Sequence, residues 1–378
     1  MNPYDFVCID WEKPPLRKKP VWHYQLVGSE QQKLYSGQIE LDIETETALL
    51  IHDPHARNQP TPSLRNAQGD YIIPGSSLKG MLRSVVETLG RGCLTLFDGD
   101  YEPVRKNGRF DYYEAPYKNL VPKTFLRCTN NNELCLSCRI FGMMRPKPGE
   151  GNSDARVGEG KNLFLGKVSI GDARAPRTSP LYAKMRTIDL MGAHPHHDAF
   201  YLDSTKKAIA GRKYYFHHAH EPLQATRATN YNHYIQPLDK GTTFQVSLDF
   251  TGLTVDEFAA LLLAITLEDG MRHKIGYAKP LGLGTVHLNP QSMMVIDYAN
   301  RYTEPGGRGR TLYNHDQIMQ LRNELLEPFK KTQLATRSLQ DLRRIWRWPA
   351  DPEVVYDYPD YSWFKSAGNS SKRIINTP

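Results

Sequence analysis

Long apolar runs are missing from this sequence of 378 residues. Nothing approaches the roughly 18 consecutive apolar residues that a membrane-crossing helix needs. The opening stretch, MNPYDFVCIDWEKPPLRKKP, has no apolar core of a secretory leader. A cytoplasmic protein with no membrane partner is therefore expected. Neither GxxxxGK[ST] nor GxGxxG occurs in the context that would make a nucleotide loop, so a metabolic nucleotide enzyme is the outsider. No repeat of fixed period is present. Cysteine is scarce and odd in number, at five, which argues for a cytosolic metal site over a disulfide scaffold.

What is present is basic and rich in tyrosine. The net charge is +7, 39% of residues are hydrophobic and 21 are Tyr. Such a chain can bury a sizeable core, and its charge favours acidic partners such as nucleic acid. Residues 1–34, rich in Pro and Lys, read as an arm. In SGQIELDIETETALLIHD, Ile39, Leu41 and Ile43 alternate with Glu40, Asp42 and Glu44, the period of a half-buried strand. A loop from Asp53 to Asp70 leads to the short strand YII. Pro74 and Gly75 end it, and Ser76 or Ser77 can cap the helix that follows. Further strands are expected at LFLGKVSIGDA, AFYLD, GRKYYFHH and TTFQVSLDFTGL, then a helix at DEFAALLLAITLEDG and a glycine-rich turn feeding a strand. Two helices set between strands suggest an α+β fold, a ferredoxin-like antiparallel sheet with large insertions. A parallel doubly wound sheet would need more helices. The organisation expected is a main domain over 35–300, insertions at about 92–162 and 174–235, and an extension over 301–378. In that extension Trp346, Trp348 and Trp363 pack on the core or on a neighbour.

Three constellations carry chemistry. Cys135 and Cys138, spaced Cys-x₂-Cys, can reach one tetrahedral ion, and Cys128 and Cys93 can complete a structural zinc site. Otherwise they are four unrelated thiols, as Cys8 is expected to be. The junction at Ser76, Ser77 and Lys79, with Arg83 one turn on, offers N–H groups and charge to a phosphate, or is plain capping with a wet face. The turn Gly276-Tyr-Ala-Lys-Pro-Leu-Gly-Leu-Gly284 has Gly276, Gly282 and Gly284 for close backbone approach, with Lys274 and Lys279 for charge. It is either a tight turn or, paired with the first junction, part of a nucleic-acid track. Arg272, His273, Arg308 and Arg310 are looser candidates for that track. The segment HPHHDAF, with histidines at 194, 196 and 197, holds a metal, wedges between bases or is solvated loop.

The sequences IPGSSLKGMLRS, CLSCRIFG, LGKVSIGDA and GYAKPLGLGTV, in that order, resemble the RAMP superfamily of CRISPR-associated proteins, and in particular the backbone subunits of type III effector complexes. The resemblance implies a modified RNA-recognition-type fold that binds guide RNA and stacks beside neighbouring subunits. It places the RNA backbone on Ser76, Ser77, Lys79, Gly80 and Arg83 and on Gly276, Gly282 and Gly284. It also implies a zinc-bearing insertion and, at residues 193–198, a hairpin reaching between subunits. Several such subunits cleave target RNA with an aspartate after the first strand, here Asp53, with Asp70 as a second candidate and Mg or Mn as the ion. The Gly-Gly-Asp pattern that often precedes this aspartate is absent, and Asp53-Pro54 also reads as a turn opener. The alternatives are a non-catalytic structural subunit and a standalone ribonuclease that processes repeat RNA.

Overall fold

The computed structural model describes the chain except residues 30–31, 54, 57–59, 96–100, 107–108, 115–119, 145–162, 191–200, 204, 206–207, 302–308, 360–362, 364–365 and 367–378. The elements used below are, in chain order, β1 (Tyr4–Val7), β2 (Leu34–Thr45), β3 (Tyr71–Ile73), α1 (Gly75–Leu89), α2 (Leu136–Phe141), β4 (Val168–Ile170), β5 (Ala173–Ala175), β6 (Arg212–Tyr215), β7 (Thr243–Thr254), α3 (Val255–Thr266), β8 (His273–Lys274), β9 (Thr285–Ile296), β10 (Arg310–Asn314), α4 (His315–Thr332) and α5 (Thr336–Ile345).

The alternating stretch becomes β2, the centre of an eight-stranded sheet ordered β8-β9-β2-β7-β5-β3, with β10 on β9 and β4 on β7. Every pairing in this sheet is antiparallel. The fold is mixed α and β. Ile39, Leu41 and Ile43 are buried, as is the alternate row Phe244, Val246, Leu248 and Phe250 of β7. Helix α3 packs on that face: Phe258 stacks between Tyr35 and Phe250, with ring centroids 4.5 and 4.9 Å away. Such pairs add about 0.5–1.5 kcal/mol each beyond the area they bury. Helix α1 buries Leu78, Leu82, Val85, Val86 and Leu89 at helical spacing and leaves Ser76, Ser77 and Gly80 in solvent. The face of the sheet turned away from the helices carries Glu40, Asp42, Glu44 and Asp249.

The sheet is curled, and one segment ties its two edges together. Beyond β2, the Leu50 carbonyl accepts the Tyr277 N–H at 2.8 Å, next to edge strand β8. The Ile51 carbonyl accepts the Leu64 N–H at 2.8 Å, and the Leu64 carbonyl accepts the Ile72 N–H of edge strand β3 at 3.1 Å. Residues 49–53 thus lie between the two edges.

Three local expectations are corrected. The opening residues are not a loose arm: β1 pairs antiparallel with β6, Val7 is fully buried, and Asp341 accepts the Cys8 N–H at 2.9 Å. Its alternating Tyr4 and Phe6 were hidden by the Pro- and Lys-rich text around them. Neither Ser76 nor Ser77 caps α1; the helix starts at Gly75, whose N–H donates to Asp172 Oδ1 at 2.9 Å. In the extension over 301–378, for which only packing was expected, β10 joins the main sheet through β9 and α5 follows α4. Trp346, at the end of α5, is buried edge-on against Tyr214, 5.0 Å between centroids.

One buried ion cluster joins these parts. Glu257 in the first turn of α3 has no solvent exposure. Its carboxylate accepts from Arg139 Nε at 2.7 Å and from Lys167 Nζ at 3.0 Å, and also closes a capping box with Thr254. Removing one partner from a buried ion cluster leaves uncompensated charge, at a cost of about 3–5 kcal/mol. Glu257→Ala should therefore lower the unfolding free energy by about that amount in denaturant titrations; a change below about 1 kcal/mol would show that the cluster is not a clamp.

Candidate metal centre and nucleic-acid interface

Three chain segments deliver one group of four cysteines. Cys93 follows the end of α1, Cys128 lies in a loop, and Cys135 and Cys138 open α2, where spacing i, i+3 puts both thiols on one face. All four are buried, and their Sγ atoms lie within 4.8 Å of one another. Cys93 Sγ is 3.7 Å from that of Cys138 and 3.6 Å from that of Cys135. A tetrahedral ion with Zn–S bonds of about 2.3 Å needs S–S edges of about 3.8 Å. The group can hold a metal ion such as zinc. Hydrogen bonds from the neighbouring thiols, Cys135 foremost, hold Cys128 below the usual thiol range, while bonds led by Cys128 push Cys138 up. So close a set cannot all ionise without a cation among them. The Cys135 N–H donates to Cys128 Sγ at 3.3 Å, and an Arg83 guanidinium nitrogen lies 3.7 Å from Cys138 Sγ. Both donors suit thiolate sulfur. Around the group pack Leu134, Met143, Phe164 and Trp22, a small core of its own.

The basic residues divide by what they touch. Ser76, Ser77 and Gly80 are exposed. Lys79 reaches the Val168 carbonyl at 2.7 Å, and Arg83 binds Glu87 at 2.9 Å and the Gly142 carbonyl at 3.1 Å. Lys274 is buried, donating to the Gly282 carbonyl and Thr285 Oγ1 at 3.3 and 3.2 Å; burial, then Lys279, push its ammonium down to about 7. Lys279 is half-buried and donates to the Gly276 carbonyl at 2.9 Å. His273 is buried against the Ala264 carbonyl, Arg272 pairs with Glu46 at 2.7 Å, and Arg310 is exposed. Arg308 and the histidines at 194–197 lie outside the described residues, as does the proposed hairpin.

The glycine turn owes its glycines to the fold. Gly276 and Gly284 have φ of +92° and +83°, and a Cβ on Gly284 would stand 1.9 Å from the Ile275 carbonyl oxygen. Gly80 is the opposite case. A Cβ there meets nothing within 4 Å, although glycine inside a helix costs about 1 kcal/mol relative to alanine.

Asp53 is half-buried at the end of the segment that ties the sheet edges. Its Oδ1 accepts the His55 N–H at 2.9 Å, closing its own turn; Oδ2 has no partner among the described residues. His52 lies beside it, 5.6 Å from the Tyr277 ring, with His233 5.9 Å from the same ring. Asp70 is half-buried in the turn made by Asn66. The reading of the sequence missed Asp172, Arg139, Lys167 and Arg65, the last exposed and 4.1 Å over the Tyr71 ring. A lone arginine inside the apolar CLSCRIFG was the one available signal.

The sequence matches the RAMP superfamily over residues 42–287, the greater part of the chain. The chain belongs to that superfamily, whose members are in general CRISPR-associated RNA-binding proteins. No curated protein matches it. No helix among the described residues is long and apolar enough to cross a membrane.

Metal content tests the cysteine group. Purified chain should carry about one equivalent of zinc, and Cys135→Ser should abolish retention and expose 93–142 to protease while α3 and the sheet stay protected. Metal-free protein with unchanged protease resistance would show that packing alone holds the group.

Proposed function

We propose that the chain is a guide-RNA-binding backbone subunit of a multisubunit type III CRISPR effector, built on a ferredoxin-like core. The strand order β9-β2-β7-β4/β5, with α1 and α3 as the two connecting helices, supports the core assignment. One observation carries the binding reading: Gly80 on the exposed side of α1. Among the described residues nothing needs a glycine there, so its use is the close approach of an external backbone to the helix. Ser76 and Ser77 stand on the same side, with hydroxyls for phosphate oxygens. The carboxylate-bearing sheet face repels phosphate, so the strand runs along the loop end, from α1 past residues 49–53 to the glycine turn.

Target cleavage is the second reading, and the position of Asp53 between the two edges favours it. Its unpartnered Oδ2 is a hard oxygen ligand suited to Mg or Mn beside a 2′-hydroxyl. A neighbouring RAMP subunit and the paired target RNA complete the site in this reading.

Gly80→Ala separates binding from stability. It should stabilise the fold by about 0.4–1 kcal/mol and at the same time weaken RNA binding. Equal affinity in the stabilised variant would remove the helix from the RNA path. Within the assembled complex, Asp53→Ala should abolish cutting at this subunit's position and leave target binding intact. Unchanged cutting would leave a purely structural subunit.

A further inference from the structure

Three lysines converge where the glycine turn meets the ribbon of β1 and β6, and none has a counter-ion among the described residues. Lys213 of β6 lies 3.7 Å over the Tyr4 ring and 5.0 Å from that of Tyr215; Lys279 lies 5.8 Å from the same Tyr215 ring. Behind them is the buried Lys274, bonded only to neutral oxygens. Among the described residues no carboxylate pairs with any of the three. Burial, and then Lys279, push the Lys213 ammonium down to about 8, and burial lowers Lys279. His218 is buried beside Gly282, and its Nε2 has no hydrogen-bond partner among the described residues. A fold that gathers uncompensated cations at low dielectric gains most when an anion joins them. The ribbon face next to the lysines carries Tyr4, Phe6 and Tyr215, with Tyr201 and Tyr358 packed on it. Aromatic rings beside lone ammonium groups fit a nucleotide unit better than bare phosphate.

We propose that Lys213 and Lys279 form a phosphodiester-binding station, which carries single-stranded RNA from the glycine turn onto the β1–β6 ribbon. The proposal rests on the RNA-binding reading above and adds the ribbon to it. Phosphate oxygens accept from the two Nζ atoms, and an anion held there favours the charged form of Lys274 behind them; His218, whose imidazole burial pushes down to about 3, stays neutral.

The test uses the full chain and a single-stranded RNA oligonucleotide. Binding is measured across salt concentrations for the wild type, Lys213→Gln/Lys279→Gln and Lys213→Arg/Lys279→Arg. Loss of two phosphate contacts should reduce the slope of log K against log salt by about 1.4, and the arginine pair should restore it. A glutamine pair with the wild-type slope would overturn the proposal while leaving RNA binding standing; a wild type that binds no RNA would remove the underlying reading as well. Lysine acetylation read by mass spectrometry separates the ligand sources and does not depend on how the variants fold. RNA should protect Lys213 and Lys279, and inorganic phosphate at equal phosphate concentration should not. Equal modification with and without RNA, or equal protection by inorganic phosphate, would overturn the assignment.

Discussion

Glu257 is the point through which the rest of the molecule is coupled. Its carboxylate holds Arg139 of the cysteine helix and Lys167 at the entry to β4. Isolated, none of these charges tolerates burial; together, and with the Gly252 and Leu134 carbonyls as further acceptors, they do. The geometry has to be kept, because any one of them released strands the others. The helix bearing Cys135 and Cys138, the edge of the sheet and the start of α3 are therefore fixed relative to one another before any metal is considered.

A second line of contacts runs from the same place to α1. Lys167 leads directly into Val168, whose carbonyl holds Lys79, and Arg83 reaches Cys138 and Gly142. With a divalent ion bound, four thiolates would carry a net charge of about −2, and Arg83 would be the cation set against them. The basic residues of SSLKGMLRS therefore serve two sides of one helix. Lys79 and Arg83 turn inward to backbone carbonyls and thiols, and Ser76, Ser77 and Gly80 turn outward. Side-chain reach explains the division. Arg83 stands three residues from Gly80 on a neighbouring stripe, but its long side chain and that of Lys79 bend to Gly142, Cys138 and Val168. The two serines and the glycine have no such reach.

The parts of this arrangement that were legible in the sequence are those written at short range. The alternation of Ile39, Leu41 and Ile43 gave β2, the apolar spacing from Leu78 to Leu89 gave α1, and Cys135-x₂-Cys138 marked the cysteine group together with its distant partners Cys93 and Cys128. Features fixed only by tertiary contact were not legible. Asp172 caps α1 from almost a hundred positions away, and its own neighbourhood shows nothing but a turn. Lys167 and Glu257 look like solvated charges until folding brings them to 3.0 Å. The glycines of the 276–284 turn were ambiguous for another reason: positive φ and close packing against Ile275 and Leu50 use the same residue that ligand approach would.

In the RNA-binding reading proposed above, charge distribution decides where the strand can run. In sheets that bind RNA across their faces, aromatic side chains on the central strands stack the bases. Here the corresponding face holds Glu40, Asp42, Glu44 and Asp249, two of them fixed by Ser247 and Gln38. With that face closed to phosphate, the net charge of +7 must act elsewhere. The curl of the sheet supplies the place, because residues 49–53 are bonded toward both β8 and β3 and bring the ends of the two edge strands to one rim. One edge opens into α1 with Gly80, and the other into the turn with Lys279. The loop carrying Asp53 lies between them. In the RNA-binding reading, Asp53 at the end of that segment stands on the rim and off the acidic face, so its carboxylate adds nothing to the charge that closes the face to phosphate.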